Sequence, residues 1–191
     1  MTVFFVSDTH FGHQNILEYI PLRKILGATL EEHNEKLVEN WNSVVKDTDT
    51  VWHLGDVVFG PATNHPYVGR LNGIKKLVMG NHDRLKYIIP YFADVFGVFY
   101  WKGEGVLSHV PLHECQVGQG KRFKYNLHGH LHGSTVTGLY EPKRDPLLDP
   151  VLVPLEERDN PLYYNCCIDN IGFFPKPWDE IKSDLRNRGV L

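Results

Sequence analysis

Five polar clusters in this chain carry oxygen and nitrogen donors, and each directly follows an apolar run of strand length. Val3-Phe4-Phe5-Val6 leads into Ser7-Asp8-Thr9-His10, and Val51-Trp52-His53-Leu54 leads into Gly55-Asp56. The run 74–79, interrupted by two lysines, leads into Gly80-Asn81-His82-Asp83. Val106-Leu107 precedes Ser108-His109, and the run 123–127 precedes His128-Gly129-His130-Leu131-His132. Carboxylate and imidazole donors together suit manganese, iron, zinc or nickel better than calcium. There are too many of them for one structural ion. Two divalent cations about 3.5–4 Å apart repel, so a carboxylate or hydroxide must bridge them. Asp8 and His10 can both turn inward once the chain leaves the pleat, and His130 and His132, two apart in an extended segment, share a face. The glycines at 55, 80 and 129 each precede a ligand candidate, where a sharp backbone turn would aim it at the site.

These donors need rigid elements behind them. Continuous β-branched and aromatic runs suggest strands buried on both faces. Between the first two lies a helix opened by the capping box Thr29-Leu30-Glu31-Glu32, with Leu30, His33, Leu37, Trp41 and Val44 or Val45 at helical spacing. Shorter helices are expected over 84–92 and 177–188, the second with proline in its first turn. Residues 94–102 read as one strand with a bulge at Gly97, and 163–169 return to strand-like composition. Alternating strands and helices predict an α/β layered fold, in which binding groups gather where strands end. Prolines at 142, 146, 150, 154 and 161 make 138–161 a long loop or lid that shapes substrate access.

Composition bounds the rest. The 191 residues suffice for one domain, 1–191, and the 42% apolar and 23% charged fractions are those of a soluble globular chain. No apolar run approaches membrane-spanning length, and the start of the chain reads as a strand rather than a signal peptide. A net charge of −3 favours neither membrane nor nucleic acid. Cys115, Cys166 and Cys167 make a poor disulfide framework, which points to free buried thiols and a cytoplasmic location. Nothing in the composition bears on oligomeric state.

Taken in order, Asp8-Thr9-His10, Gly55-Asp56, Gly80-Asn81-His82-Asp83, Ser108-His109 and Gly129-His130-Leu131-His132 resemble the motifs of the calcineurin-like metallophosphoesterases. The resemblance spans residues 3 to about 132 and continues more weakly from Asn165 to Ile181. The wording around the first motif is similar to that of small bacterial and phage members. It implies a two-sheet β-sandwich flanked by α-helices. It further implies that Asp8, His10 and His132 hold one metal ion, that Asn81, His109 and His130 hold the other, and that Asp56 bridges them. Manganese is the expected metal, with iron, zinc or nickel as alternatives. His82 would protonate the leaving oxygen of a small or nucleotide-like phosphate ester. Water bound between such ions is acidified towards neutrality, and both cations stabilise charge on the phosphoryl oxygens.

Two departures stand out. Many relatives carry an aspartate three residues after the bridging one, able to orient the catalytic histidine; here that place is Phe59, and Asp83 is the candidate substitute. The fourth motif often reads Gly-His and here reads Ser108-His109. Around the motifs, His13 and Asn15 could line the site mouth, and Arg84 could hold a substrate phosphate through its planar fork. His53 reads as core, His128 as outer support for His130, and His33 and His65 as ordinary core or surface residues. A nuclease using the same site is the competing activity, opposed by the scarcity of basic clusters beyond Lys75-Lys76 and Lys121-Arg122. A scaffold that has lost catalysis is the competing non-enzyme, opposed by a complete ligand set.

Overall fold

The computed structural model describes residues 1–140 and 156–191. Strands β1 (Val3–Val6), β2 (Thr50–His53), β3 (Ile74–Val78) and β4 (Asp94–Phe96) run parallel in that order, and β1 also pairs with a short C-terminal strand, Lys176–Pro177. A second sheet holds β5 (Phe99–Trp101), β6 (Gly105–Leu107), β7 (Tyr125–His128) and a strand at Tyr163–Asn165. Strands β8 (Thr137–Tyr140) and β9 (Glu156–Asp159) form an antiparallel ribbon of their own; numbering in chain order makes Tyr163–Asn165 β10 and Lys176–Pro177 β11. This is the two-sheet α/β arrangement expected from the motifs.

Alternation along β1 and β2 separates two cores. Phe4, Val6 and Val51 face one way, into a cluster with Leu37, Val38 and Trp41. Phe5 and Trp52 face the other, against Trp101, Leu107 and Leu127 of the second sheet and Trp178, Ile181 and Leu185 near the C-terminus. Burial on both faces explains why these strands read as unbroken apolar runs.

The helices are α1 (Ile16–Tyr19), α2 (Leu30–Val44), α3 (Pro66–Gly69), α4 (Leu85–Ile88) and α5 (Trp178–Asn187). In α2 both halves of the capping box form: Glu32 N donates to Thr29 Oγ1 at 3.2 Å, and Thr29 N donates to Glu32 Oε2 at 3.1 Å. At its far end Val45 packs inward and Val44 does not. The helix expected over 84–92 breaks in two, with 3-10 geometry over Ile89–Tyr91, because Pro90 has no N–H to continue the ladder. Arg84 caps α4 instead of lying within it. No described helix is long and apolar enough to cross a membrane.

Residues 94–102 are not one bulged strand. Their two halves pair in different sheets, β4 with β3 and β5 with β6. Phe96 and Phe99 both pack on Trp52, at 5.6 and 4.5 Å, so this segment folds around a ring that lies between the sheets. The ends of 138–161 are strands rather than loop, since a two-stranded ribbon places no strand in a central position; residues 141–155, where the expected lid would lie, are outside the described residues.

Candidate metal centre

The five donor clusters converge on one place. Ligand atoms of Asp8, His10 and His132 lie within 4.8 Å of one another, and so do those of Asp56, His109 and His130. Asn81 joins the second group, its Oδ1 3.0 Å from His109 Nε2. Asp56 stands between the groups: its Oδ2 is 3.4 Å from His109 Nε2 and 3.8 Å from His10 Nε2. His82 Nε2 lies 4.0 Å from the same oxygen, and its side chain is half exposed.

The backbone that delivers these donors is strained. Seven non-glycine residues among those described have positive φ, and five are ligand candidates: Asp8, His10, Asp56, His130 and His132. Each left-handed residue costs about 1–2 kcal/mol. The turn expected of the preceding glycines is therefore made largely by the ligands themselves. Gly55 does turn, at φ 96°. Gly80 and Gly129 serve close approach instead, since a Cβ there would collide with the carboxylates of Asp56 and Asp8.

Hydrogen bonds outside the centre fix which atom of each ligand faces inward. Asp8 Oδ2 accepts from His130 N at 2.9 Å and from the Cys167 thiol at 3.0 Å, while its buried Oδ1 has no hydrogen-bond partner. Asp56 Oδ1 accepts from His82 N at 2.9 Å, leaving Oδ2 between the groups. His109 Nδ1 is 2.8 Å from the Leu54 carbonyl, and His132 Nδ1 is 3.0 Å from Asp169 Oδ2, so each presents Nε2 inward. Both ring nitrogens of His10 are buried without a hydrogen-bond partner. Buried polar atoms left bare in this way cost stability unless something coordinates them. This donor set, bare on its inner side and tied on its outer side, fits divalent cations bound by nitrogen and oxygen.

Electrostatics favour the ligand state of the carboxylates. Burial opposes the charge of Asp8, yet His10, the charge of His109, Ser7 and Cys167 hold its carboxyl well below the usual range. Burial likewise opposes Asp56, and His109 and the His82 N–H outweigh it. Asp83 behaves differently, its carboxyl raised chiefly by burial and also by the charge of Asp56. It accepts from Gly80 N at 2.8 Å and from Asp56 N and Val57 N at 2.9 Å each. Asp83 thus staples two ligand loops together and does not take over the orientation of His82. Phe59 occupies that side, its ring 4.9 Å from that of His82.

The remaining candidates divide. His13 comes into the site, its ring 5.7 Å from that of His10. Asn15 stays exposed, its backbone N–H donating to His13 Nδ1 at 3.2 Å. Arg84 is exposed and has no ion pair among the described residues. His53 is core, its Nε2 3.0 Å from Thr9 Oγ1 and its imidazole pushed down by burial to about 3. His128 faces away from the ligand it was expected to support, towards the Gly129 carbonyl and the Tyr163 ring. Ser108 fits without strain, donating to the Val110 carbonyl at 2.8 Å. All three cysteines are free, but Cys115 is exposed rather than buried.

Two residues that sequence reasoning passed over complete the assembly. Arg23 is fully buried, paired with Asp169 at 2.7 Å, and it donates to the carbonyls of Asp8 and Thr9 at 2.6 and 3.1 Å. Asp169 in turn holds His132. A lone arginine in a short 3-10 helix, Pro21–Ile25, and an aspartate in a C-terminal turn give no local signal. Only contacts between distant parts of the chain reveal them.

The sequence profile of the calcineurin-like phosphoesterases matches residues 1–174. The chain belongs to that family. Within it, the chain is 31% identical over 140 residues to an uncharacterized protein of Methanocaldococcus jannaschii, covering 69% of this chain and 70% of that one. It is 37% identical over 83 residues to the gene 66 protein of Mycobacterium phage L5, covering 41% of this chain and 38% of the phage protein. A solved structure of a protein of unknown function from Aquifex aeolicus shares the fold, with a TM-score of 0.62 at 24% identity over 95% of this chain and 98% of that one. Membership of a metal-dependent family accords with the two His/Asp clusters in this phosphoesterase-family chain.

Proposed function

We propose that this chain hydrolyses phosphate mono- or diesters of a small or nucleotide-like substrate at a dinuclear centre. In this reading Asp8, His10 and His132 hold one divalent ion, Asn81, His109 and His130 the other, and Asp56 both. The observation that carries the proposal is the shared position of Asp56 Oδ2 between two donor groups, on a backbone strained at five ligands. Strain of that kind persists where a site needs it. Bound there, manganese or a similar ion would polarise a phosphoryl oxygen and acidify water.

The chain's own residues supply the rest. Arg23 and Asp169 keep the first and last ligand loops in register, and Asp83 does the same for the second and third. His82 lies next to Asn81, with a half-exposed ring and no ligand duty, so it is free to donate a proton to the departing oxygen. Phe59 shields one side of that ring from water. The test is turnover of a panel of monoesters, diesters, cyclic nucleotides and dinucleoside polyphosphates by manganese-reconstituted protein. Hydrolysis of at least one class, abolished in Asp56→Asn, is expected. Protein carrying two ions yet inert on every class would overturn the reading.

A further inference from the structure

A surface cleft of about 400 Å³ lies at the opposite end of the second sheet from the donor clusters. His109 and His130 follow the carboxyl ends of the parallel strands β6 and β7, whereas the cleft forms at their amino ends, around Glu104, Lys124 and Tyr125. Helix α5 contributes Trp178, Lys182 and Arg186, and the turn between β5 and β6 contributes Lys102. Trp178 and Tyr125 are buried, their rings stacked at 6.2 Å, so the aromatic part of the lining is fixed by the core.

Four cations line this cleft in a chain whose net charge is −3. Glu104 neutralises one of them, pairing with Lys124 at 2.7 Å. Lys102, Lys182 and Arg186 have no ion pair among the described residues. Leu191 also lines the cleft and pairs with none of them. The fold holds these three cations against two local preferences. Lys182 and Arg186 stand four residues apart on α5, the spacing at which like charges repel. Lys102 has a φ of 49°, which lysine adopts reluctantly, and its ammonium lies 5.2 and 5.4 Å from the ring centres of Trp101 and Trp178.

We propose that this cleft binds a small multivalent oxyanion, such as a diphosphate, at a site separate from the metal centre. The inference is independent of the phosphoesterase reading, since the cleft shares no residue with the donor clusters. A monovalent anion would leave most of the positive charge unmatched, whereas a diphosphate offsets it. The planar fork of Arg186 suits two oxygens of one such group, and the two ammonium groups act as point charges around it. A cleft of this size falls within the range of small-molecule sites. A nucleic-acid backbone, by contrast, is met by a basic stripe or face longer than one cleft.

The test titrates inorganic pyrophosphate, and separately citrate, into full-length protein at low ionic strength without added metal, followed by NMR. Saturable shifts are expected at the Trp178 indole N–H and at the backbone amides of Lys102 and Lys182. Lys182→Gln and Arg186→Gln, both on the solvent side of α5, should each weaken pyrophosphate binding about tenfold or more, the loss of one charge-assisted hydrogen bond. Shifts with both anions would assign the cleft to multivalent oxyanions in general, and shifts with pyrophosphate alone would narrow it to phosphates. Absence of shifts with either anion would overturn the site, as would equal binding by the Lys182→Gln, Arg186→Gln double variant. A single-stranded DNA oligonucleotide bound through the same residues more tightly than pyrophosphate would overturn the assignment to a small ligand.

Discussion

Asp169 Oδ2 stands 3.0 Å from His132 Nδ1, the nitrogen that faces away from the donor cluster. Its carboxyl is held below the ordinary range, because the bonds from His132 and Arg23 outweigh the burial that opposes ionisation. A carboxylate there fixes the ring's tautomer and orientation and makes Nε2 a stronger donor. Asp169→Asn should weaken manganese binding about ten- to hundredfold, and it should also lower stability, because the buried Arg23 guanidinium loses its counter-ion. Calorimetric titration of both proteins measures it, and unchanged affinity would remove Asp169 from the metal centre.

Asp56→Asn is expected to strip most of both ions, since its Oδ2 faces both donor groups. Losing its charge leaves two cations without the anion that offsets their repulsion. Elemental analysis after reconstitution checks this. Full retention of one ion per chain would mean that Asp56 serves one site only.

For His82, the leaving group decides the size of the effect. A nitrophenolate departs without a proton, whereas an alkoxide such as a ribose oxygen does not. His82→Ala should keep both ions and lose far more kcat on a nucleoside or alkyl ester than on a nitrophenyl ester. Equal losses on both would assign His82 to charge stabilisation instead.

Acid should destabilise the metal-free protein before its depressed carboxylates titrate. Burial pushes the imidazoles of His33 and His53 down to about 4 and about 3, from an ordinary 6.5. Between the ordinary 6.5 and these depressed values the unfolded chain binds more protons than the folded one, so stability falls as pH drops through that window. Depressed carboxylates such as Asp169 withdraw their contribution only at lower pH, below the ordinary 3.8. Urea midpoints should be lower at pH 5 than at pH 7, and His33→Gln should lose part of that difference. A variant with the wild-type pH dependence would show that His33 is not one of the groups responsible.

The ligand motifs and the first three strands were legible because strand, turn and donor are contiguous in sequence, as in Val3–Val6 followed by Asp8 and His10. The capping box of α2 was legible for the same reason: Thr29 and Glu32 satisfy each other within four residues. What escaped was non-local. The split of 94–102 depends on Trp52 receiving Phe96 and Phe99 from two sheets. Arg23 and Asp169, 146 positions apart, make sense only once folded together. Asp83 is the sequence's candidate to orient His82, but its partners are backbone N–H groups, those of Asp56 and Val57 in another loop and that of Gly80 in its own.

The left-handed backbone at Asp8, His10, Asp56, His130 and His132 also limits how such a site can drift by mutation. Aspartate, asparagine and histidine tolerate that conformation better than most side chains, and glycine accepts it freely, whereas β-branched and bulky residues resist it. Exchanges within the first group change the charge and softness offered to a metal at little conformational cost. Descendants of this chain can thus retune metal preference one ligand at a time, while loss of function has an easy exit through glycine, which relieves the strain and silences the centre in a single step.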